Sequence, residues 1–167
     1  RRRRDGFTAL IHGKAYHEET RATASQVTGY PQGRYLVVFD MTEARLICGA
    51  IEGRSNPEAL AERFAAAVSP GFDFARDLER IGVANQTTML RGETEEVQRR
   101  IKAAMEMKHG ADRVPQHFRF FDTICGATQD RQDALQKLLG EPMDLLLVVG
   151  GYNSSNTSHL AEMGEAK

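Results

Sequence analysis

Apolar positions along this chain alternate between short continuous runs and stripes at helical spacing, the rhythm of strands followed by helices. Phe7 to His12 reads as a first strand, and Gly13 breaks it. Tyr16-His17-Glu18-Glu19 leads into a short helix reaching about Gln26. Thr28-Gly29-Tyr30-Pro31-Gln32-Gly33 is turn chemistry. Tyr35 to Phe39 is a second strand. Asp40 can cap a helix from Met41 to about Ile51, with Ala44, Ile47, Cys48 and Ile51 on one face. Asn56-Pro57 starts another helix, because proline fits the first turn, and Leu60, Phe64, Ala67 and Val68 form its buried stripe. Ile81 to Ala84 is a third strand that runs out in Asn85-Gln86-Thr87-Thr88.

Thr94, followed by Glu95 and Glu96, opens a long helix to about His109, since carboxylates favour a helix N-terminus. Val97, Ile101, Ala104 and Met105 point inward. Val114 to Phe121 includes a further strand, and Thr128 to Leu139 is a helix with Leu135, Leu138 and Leu139 inside. Leu145 to Val149 is an almost unbroken apolar run, the pattern of a central parallel strand buried on both faces. Strands alternating with helices predict an α/β fold with a small parallel sheet. A boundary near Asp122 divides the chain into a complete α/β domain, residues 1–121, and the first part of a second similar domain, residues 122–167.

Composition narrows the function little. The 167 residues are 41% hydrophobic with net charge -1, so no global field draws the chain to nucleic acid or membrane. Arg1 to Arg4 reads as a solvated edge or the end of a cut helix. No stretch reaches the length of a membrane span, and two cysteines do not make a disulfide framework, so a reducing, cytoplasmic setting is expected. The opening on arginine and the close on Gly164-Glu165-Ala166-Lys167, shortly into a helix, predict an internal piece of a longer polypeptide.

Four places can carry chemistry. Cys125 ends the run Phe121-Asp122-Thr123-Ile124, where a helix can begin. By itself it is better read as a small buried hydrophobe than as a ligand. His17 and Glu19 lie at a helix start, where a polar run is common. Gln86, Thr87 and Thr88 end a strand, the place where open α/β sheets put ligands. Ser154, Ser155 and Asn156 follow Gly150-Gly151-Tyr152-Asn153. Two glycines there allow close backbone approach, and the helix that follows offers N–H groups to an anion. Cys48 sits on an apolar stripe, and His159 reads as a helix surface residue. No zinc motif or phosphate-binding P-loop is present.

Four ordered segments resemble the 4-hydroxy-3-methylbut-2-enyl diphosphate reductase family, and most closely its cyanobacterial and plastid branch. They are His12-Gly13-Lys14 with His17-Glu18-Glu19-Thr20, Asn85-Gln86-Thr87-Thr88-Met89-Leu90, Asp122-Thr123-Ile124-Cys125 with Ala127-Thr128 and Arg131-Gln132-Asp133-Ala134, and Gly150 to His159. The resemblance covers the chain from about Thr8 onward. It implies a parent of three α/β domains in a pseudo-threefold arrangement, of which this chain is the second domain and the start of the third.

The resemblance also implies the chemistry. Cys125 matches one of three thiolate ligands to a [4Fe–4S] cluster, the other two lying upstream of Arg1. Glu19 matches the glutamate that delivers protons, and Thr87 a threonine beside the substrate hydroxyl. Gln86 would line the same cavity. His17, Ser154, Ser155 and Asn156 match contacts to the substrate diphosphate. The implied reaction removes the hydroxyl reductively to give isopentenyl and dimethylallyl diphosphate, the last step of the non-mevalonate isoprenoid route. Electrons would come from a ferredoxin- or flavodoxin-type donor, in the cytoplasm or in a plastid stroma. With one thiolate where three are needed, the isolated chain is expected to be inactive. The alternative is a non-catalytic α/β module that binds a phosphorylated small molecule or a protein partner.

Overall fold

The computed structural model describes residues 6–121 and 125–167. The run Arg1–Arg4 and the boundary expected near Asp122 lie outside the described residues.

Strand β1 (Thr8–His12) is followed by α1 (Glu18–Thr28), β2 (Tyr35–Val38), α2 (Met41–Ile51), α3 (Pro57–Arg63), β3 (Ile81–Asn85) and α4 (Arg91–His109). A 3-10 turn, the single-turn α5 (Val114–His117), β4 (Phe118–Phe120), α6 (Gly126–Leu138) and α7 (Ser155–Glu165) complete the order. The four strands are parallel, in the order β2-β1-β3-β4. This is the α/β parallel sheet that the hydrophobic rhythm predicts.

Alternation along the strands sorts the two faces. Leu10, Leu36, Val38, Ile81 and Val83 enter the main core with Ile47 and Ile51 of α2, Leu60 and Phe64, and Val97, Ile101 and Met105 of α4. Ile11 and Val37 point the other way and pack with Ala24 of α1. The chain therefore leaves β1 over one face and leaves β2 over the other. That reversal makes the gap between the C-terminal ends of β1 and β3 a topological switch point, where α/β sheets bind ligands. Truncating Ile47 or Ile101 to alanine would cost about 2–5 kcal/mol.

Several expectations change for physical reasons. α3 stops at Arg63, and only Leu60 and Phe64 of its expected stripe are fully buried. The chain instead turns back along β2. Val37 N–H donates to Ala67 O (2.7 Å), Ser69 N–H donates to Tyr35 O (3.0 Å), and Val68 forms an antiparallel bridge with Leu36. Those bonds cover the outer edge of β2, which would otherwise expose unpaired backbone. α4 begins at Arg91 rather than Thr94, because Thr94 is needed as a buried polar partner inside the first turn: its Oγ1 lies 2.8 Å from His12 Nδ1. Leu138 is exposed, while Leu135 and Leu139 are buried.

Leu145 to Val149 is not a strand among the described residues. Leu145, Leu147 and Val149 are 73%, 76% and 94% exposed, whereas Leu146 and Val148 are half-buried. The run therefore packs through alternate side chains only. No described strand lies beside it, and a strand needs a hydrogen-bonding neighbour.

His12 is fully buried, and burial lowers its pKa from the usual 6.5 to about 4. Between those values the unfolded chain binds a proton that the folded chain excludes. Stability therefore falls as pH drops from about 6.5 toward 4, by about 3 kcal/mol at the limit. Urea unfolding at pH 7 and pH 4.5 measures this, and H12N, which has no titrating ring, is expected to lose that part of the pH dependence.

Candidate functional site

The site is built on three loops at the C-terminal edge of the sheet. The first follows β1. Gly13 N–H donates to Val38 O, and Gly13 lies so close to the third strand that a Cβ there would sit 2.9 Å from Gln86 Cβ. Glycine is thus required for the β1–α1 turn to close over Gln86. His17 caps α1: its Nδ1 accepts the Glu19 N–H at 3.3 Å. An accepting Nδ1 leaves the ring proton on Nε2 of the neutral imidazole.

The second loop, Gln86-Thr87-Thr88, follows β3. Gln86 is 1% exposed, and its amide is saturated. Oε1 accepts from Lys14 N–H (3.2 Å) and Thr20 Oγ1 (3.1 Å), while Nε2 donates to Thr88 Oγ1 (2.7 Å) and Ser155 Oγ (3.3 Å). Two acceptor and two donor positions are all a glutamine side chain has. Gln86 therefore does not line an open cavity; it holds the surrounding loops together from beneath.

Thr87 joins the acid to the thiol through its backbone. Its N–H donates to Glu19 Oε1 at 2.6 Å, and its carbonyl accepts the Cys125 N–H at 3.3 Å. Thr87 and Glu19 are therefore hydrogen-bonded to one another through the Thr87 peptide group. Half-burial of Glu19 keeps the carboxylate close to solvent-accessible space.

The third loop and two helix starts come from downstream. Cys125 is the N-cap residue of α6 and is exposed. Its thiol is held below its ordinary pKa chiefly by the nearby backbone N–H group of Thr128, and then by that of Ala127, at the start of α6. A helix N-terminus favours thiolate, and thiolate is the form that ligates metal. Cys48 is its opposite: half-buried on α2 against the main core, its thiol is pushed up to about 11 by burial. It has neither the exposure nor the ionisation of a ligand.

Ser154 caps α7, its Oγ accepting the Thr157 N–H at 3.3 Å. Gly150 permits this tight loop, since a Cβ there would meet Thr157 Oγ1. Ser155 is buried, with Oγ accepting from Gln86. Asn156 Oδ1 is buried without a hydrogen-bond partner among the described residues. Such an orphan is uncommon in proteins and points to a water or ligand at this loop. His159, read from the sequence as a surface residue, is instead 4% exposed, and its Nδ1 donates to Thr88 O at 2.7 Å. The signal was available: Ser155 and His159 are four apart, hence on one helix face.

The eight residues to which the resemblance gives roles thus fall into one hydrogen-bonded neighbourhood around residues 86–88 or on the helix start attached to it. Features at the opposite end of the strands do not rival it. A cleft of about 740 Å³ is lined by Arg34, Arg76 and Arg80, yet Arg34 and Arg76 pair with Asp77 and Arg80 donates to Gln116 O. Glu79, His109 and His117 bring three potential ligand atoms within 4.8 Å of one another. The two imidazoles are stacked, with centroids 3.8 Å apart and planes within 12°. A ligated metal lies near the plane of each ring, and two parallel rings so stacked share no such point. Glu79 is also paired with Lys108 at 2.8 Å.

Comparison with known proteins gives the family. The family model described as LytB protein matches residues 1–167. The chain is 52% identical over 167 residues to a 4-hydroxy-3-methylbut-2-enyl diphosphate reductase of Synechococcus sp. strain RCC307, covering 100% of this chain and 40% of that protein. It is 52% identical over 157 residues to the enzyme of the same name from Thermosynechococcus vestitus, covering 94% and 38%. For the Parasynechococcus marenigrum enzyme the figure is 53% over 157 residues, again covering 94% and 38%. The chain thus spans about 40% of the length of these relatives. None of the described helices is long and apolar enough to cross a membrane. The match along the full chain shows that it belongs to the LytB family.

Proposed function

We propose that the protein to which this chain belongs reduces 4-hydroxy-3-methylbut-2-enyl diphosphate to isopentenyl and dimethylallyl diphosphate, with release of water. In this reading residues 1–121 form its middle domain and residues 122–167 begin the next. The reaction consumes two electrons and two protons, the electrons coming from a ferredoxin- or flavodoxin-type donor.

One observation carries the reading. At the diphosphate contacts that the family resemblance assigns to His17, Ser154 and Ser155, an acceptor position is already filled by the protein. His17 Nδ1 accepts from Glu19 N–H, Ser154 Oγ from Thr157 N–H, and Ser155 Oγ from Gln86 Nε2. Each can still offer a donor: an imidazole Nε2–H or a hydroxyl proton. A group of donors at a helix N-terminus suits a polyanion. Glu19 has the complementary arrangement. Its Oε1 is engaged by Thr87 N–H, which leaves Oε2 to carry a proton to the reacting group.

The donor chemistry of Cys125, an exposed and acidified thiol at a helix start, fits one ligand position of a [4Fe–4S] cluster. Two further thiolates would come from polypeptide outside these 167 residues, because Cys48 is unsuited. When bound, the cluster supplies electrons and a Lewis-acid iron. Thr87 would fix the carboxyl of Glu19 and the Cys125 backbone relative to one another, so that proton donor and thiolate stay in register.

Reconstituting the isolated chain with iron and sulfide tests the division of ligands. The absorbance and EPR of a stoichiometric [4Fe–4S] cluster are expected to be absent from this chain and present in the full-length protein. A stoichiometric cluster on the isolated chain would contradict the proposal. A full-length protein without iron would favour a non-catalytic phosphate-binding module.

A further inference from the structure

We infer that His159 is a positioning residue: it locks the anion-binding start of α7 onto the loop that holds the proton donor, and so sets affinity for the diphosphate. The inference rests on the proposed function and adds to it a residue outside the expected contact set.

Three hydrogen bonds join the downstream segment to the sheet domain at consecutive residues. Ser155 Oγ receives Gln86 Nε2–H at 3.3 Å, Thr87 O receives Cys125 N–H at 3.3 Å, and Thr88 O receives His159 Nδ1–H at 2.7 Å. Each of the residues 86–88 thus takes one link. The His159 bond is the shortest of the three and is made by a side chain that is 4% exposed. A half-buried carbonyl deprived of its donor keeps part of its desolvation cost, so losing the bond costs more than its net strength implies.

The geometry explains what is being positioned. Ser155 and His159 lie one turn apart on the same face of α7, so together they fix both the height and the rotation of the helix against residues 86–88. A single contact at Ser155 would leave the helix free to pivot about it. The other two anion-site residues of this loop, Ser154 and Asn156, flank Ser155 and move with it. On the sheet side, Thr87 N–H holds Glu19 and Gln86 holds Lys14 N–H and Thr20. The His159 bond therefore sets the distance between the donors for the diphosphate and the acid for the reacting end of the same substrate. Loosening that spacing weakens the hold on the diphosphate, whose donors sit on the freed helix start. His159 itself would touch neither substrate nor iron.

The test uses the full-length, cluster-loaded protein with three variants: H159F, which keeps the flat ring without the donor, H159M, flexible and apolar, and H159N, whose amide places an N–H close to the Nδ1 position. Calorimetric titration with inorganic diphosphate and steady-state kinetics are the readouts. H159F and H159M are expected to weaken diphosphate binding and raise KM about tenfold, the scale of one such lost bond, with iron content unchanged and kcat within about threefold. H159N is expected to recover to within about threefold of the parent. H159M carries the donor-less arm if H159F does not fold. Parent-like affinity in either donor-less variant overturns the inference, as does an H159N that binds no better than they do. An unsubstituted protein that fails to bind diphosphate at all would instead defeat the proposed function, and the inference with it.

Discussion

Glu19→Gln in the full-length protein is expected to lower kcat by a factor of about 10²–10⁴ while leaving the iron–sulfur absorbance intact. The substitution is informative because of what it preserves. Glu19 Oε1 accepts the Thr87 N–H at 2.6 Å, and a glutamine carbonyl can accept the same bond. The N–H of residue 19 can still donate to His17 Nδ1 and keep the helix cap. What is removed is the second carboxyl oxygen, the atom proposed to deliver the proton. Fold, cap and cluster should therefore survive, and proton delivery should not. Unchanged turnover would remove Glu19 from the mechanism. Lost iron would mean that the carboxylate acts on the cluster environment instead.

The second large effect concerns Cys125. Replacing it by alanine in the full-length protein is expected to abolish the stoichiometric cluster and reduce turnover below detection. Alanine is the sharper choice, because a serine oxygen can still approach iron. The fold should change little: Cys125 is exposed, its side chain makes no cap hydrogen bond to α6, and its tie to Thr87 runs through the backbone N–H. Circular dichroism and the thermal midpoint should stay close to the parent apoprotein, while iron analysis falls. Cys48→Ala is the paired control. It sits half-buried on α2 and should retain full iron content at a modest cost in stability. Retained iron in the Cys125 variant, or lost iron in the Cys48 variant, would contradict the assignment.

How much of this was legible in the sequence depended on the range of the interaction. The first three strands and α2 were readable because alternation and helical spacing are local, and burial then followed from parity. Leu10 and Ile11 duly face opposite cores. Caps at Asp40 and Asn56 were readable for the same reason, each bonding a backbone N–H two or three residues on. The extension of α3 through Ala67 and Val68 failed because those residues cover the edge of β2, a demand made by residues some thirty positions earlier. Leu145 to Val149 failed because an apolar run specifies burial but not the neighbour that would provide it. At the candidate site, side-chain types singled out loops that the fold brings together, yet several of the bonds that join them run through the backbone. Nothing in the letter Thr at position 87 announces that its N–H holds Glu19 and its carbonyl holds Cys125. Gln86 and His159 carry the same lesson in side chains: their roles rest on partners 69 and 71 residues away.

The most direct test is a crystal structure of the full-length protein with the diphosphate substrate bound. Iron should be bonded to Cys125 Sγ, the terminal phosphates should accept hydrogen bonds from His17, Ser154, Ser155 and Asn156, and the carboxyl of Glu19 should face the opposite end of the substrate. A substrate bound elsewhere, or a Cys125 side chain free of iron and turned away from Glu19, would contradict the account.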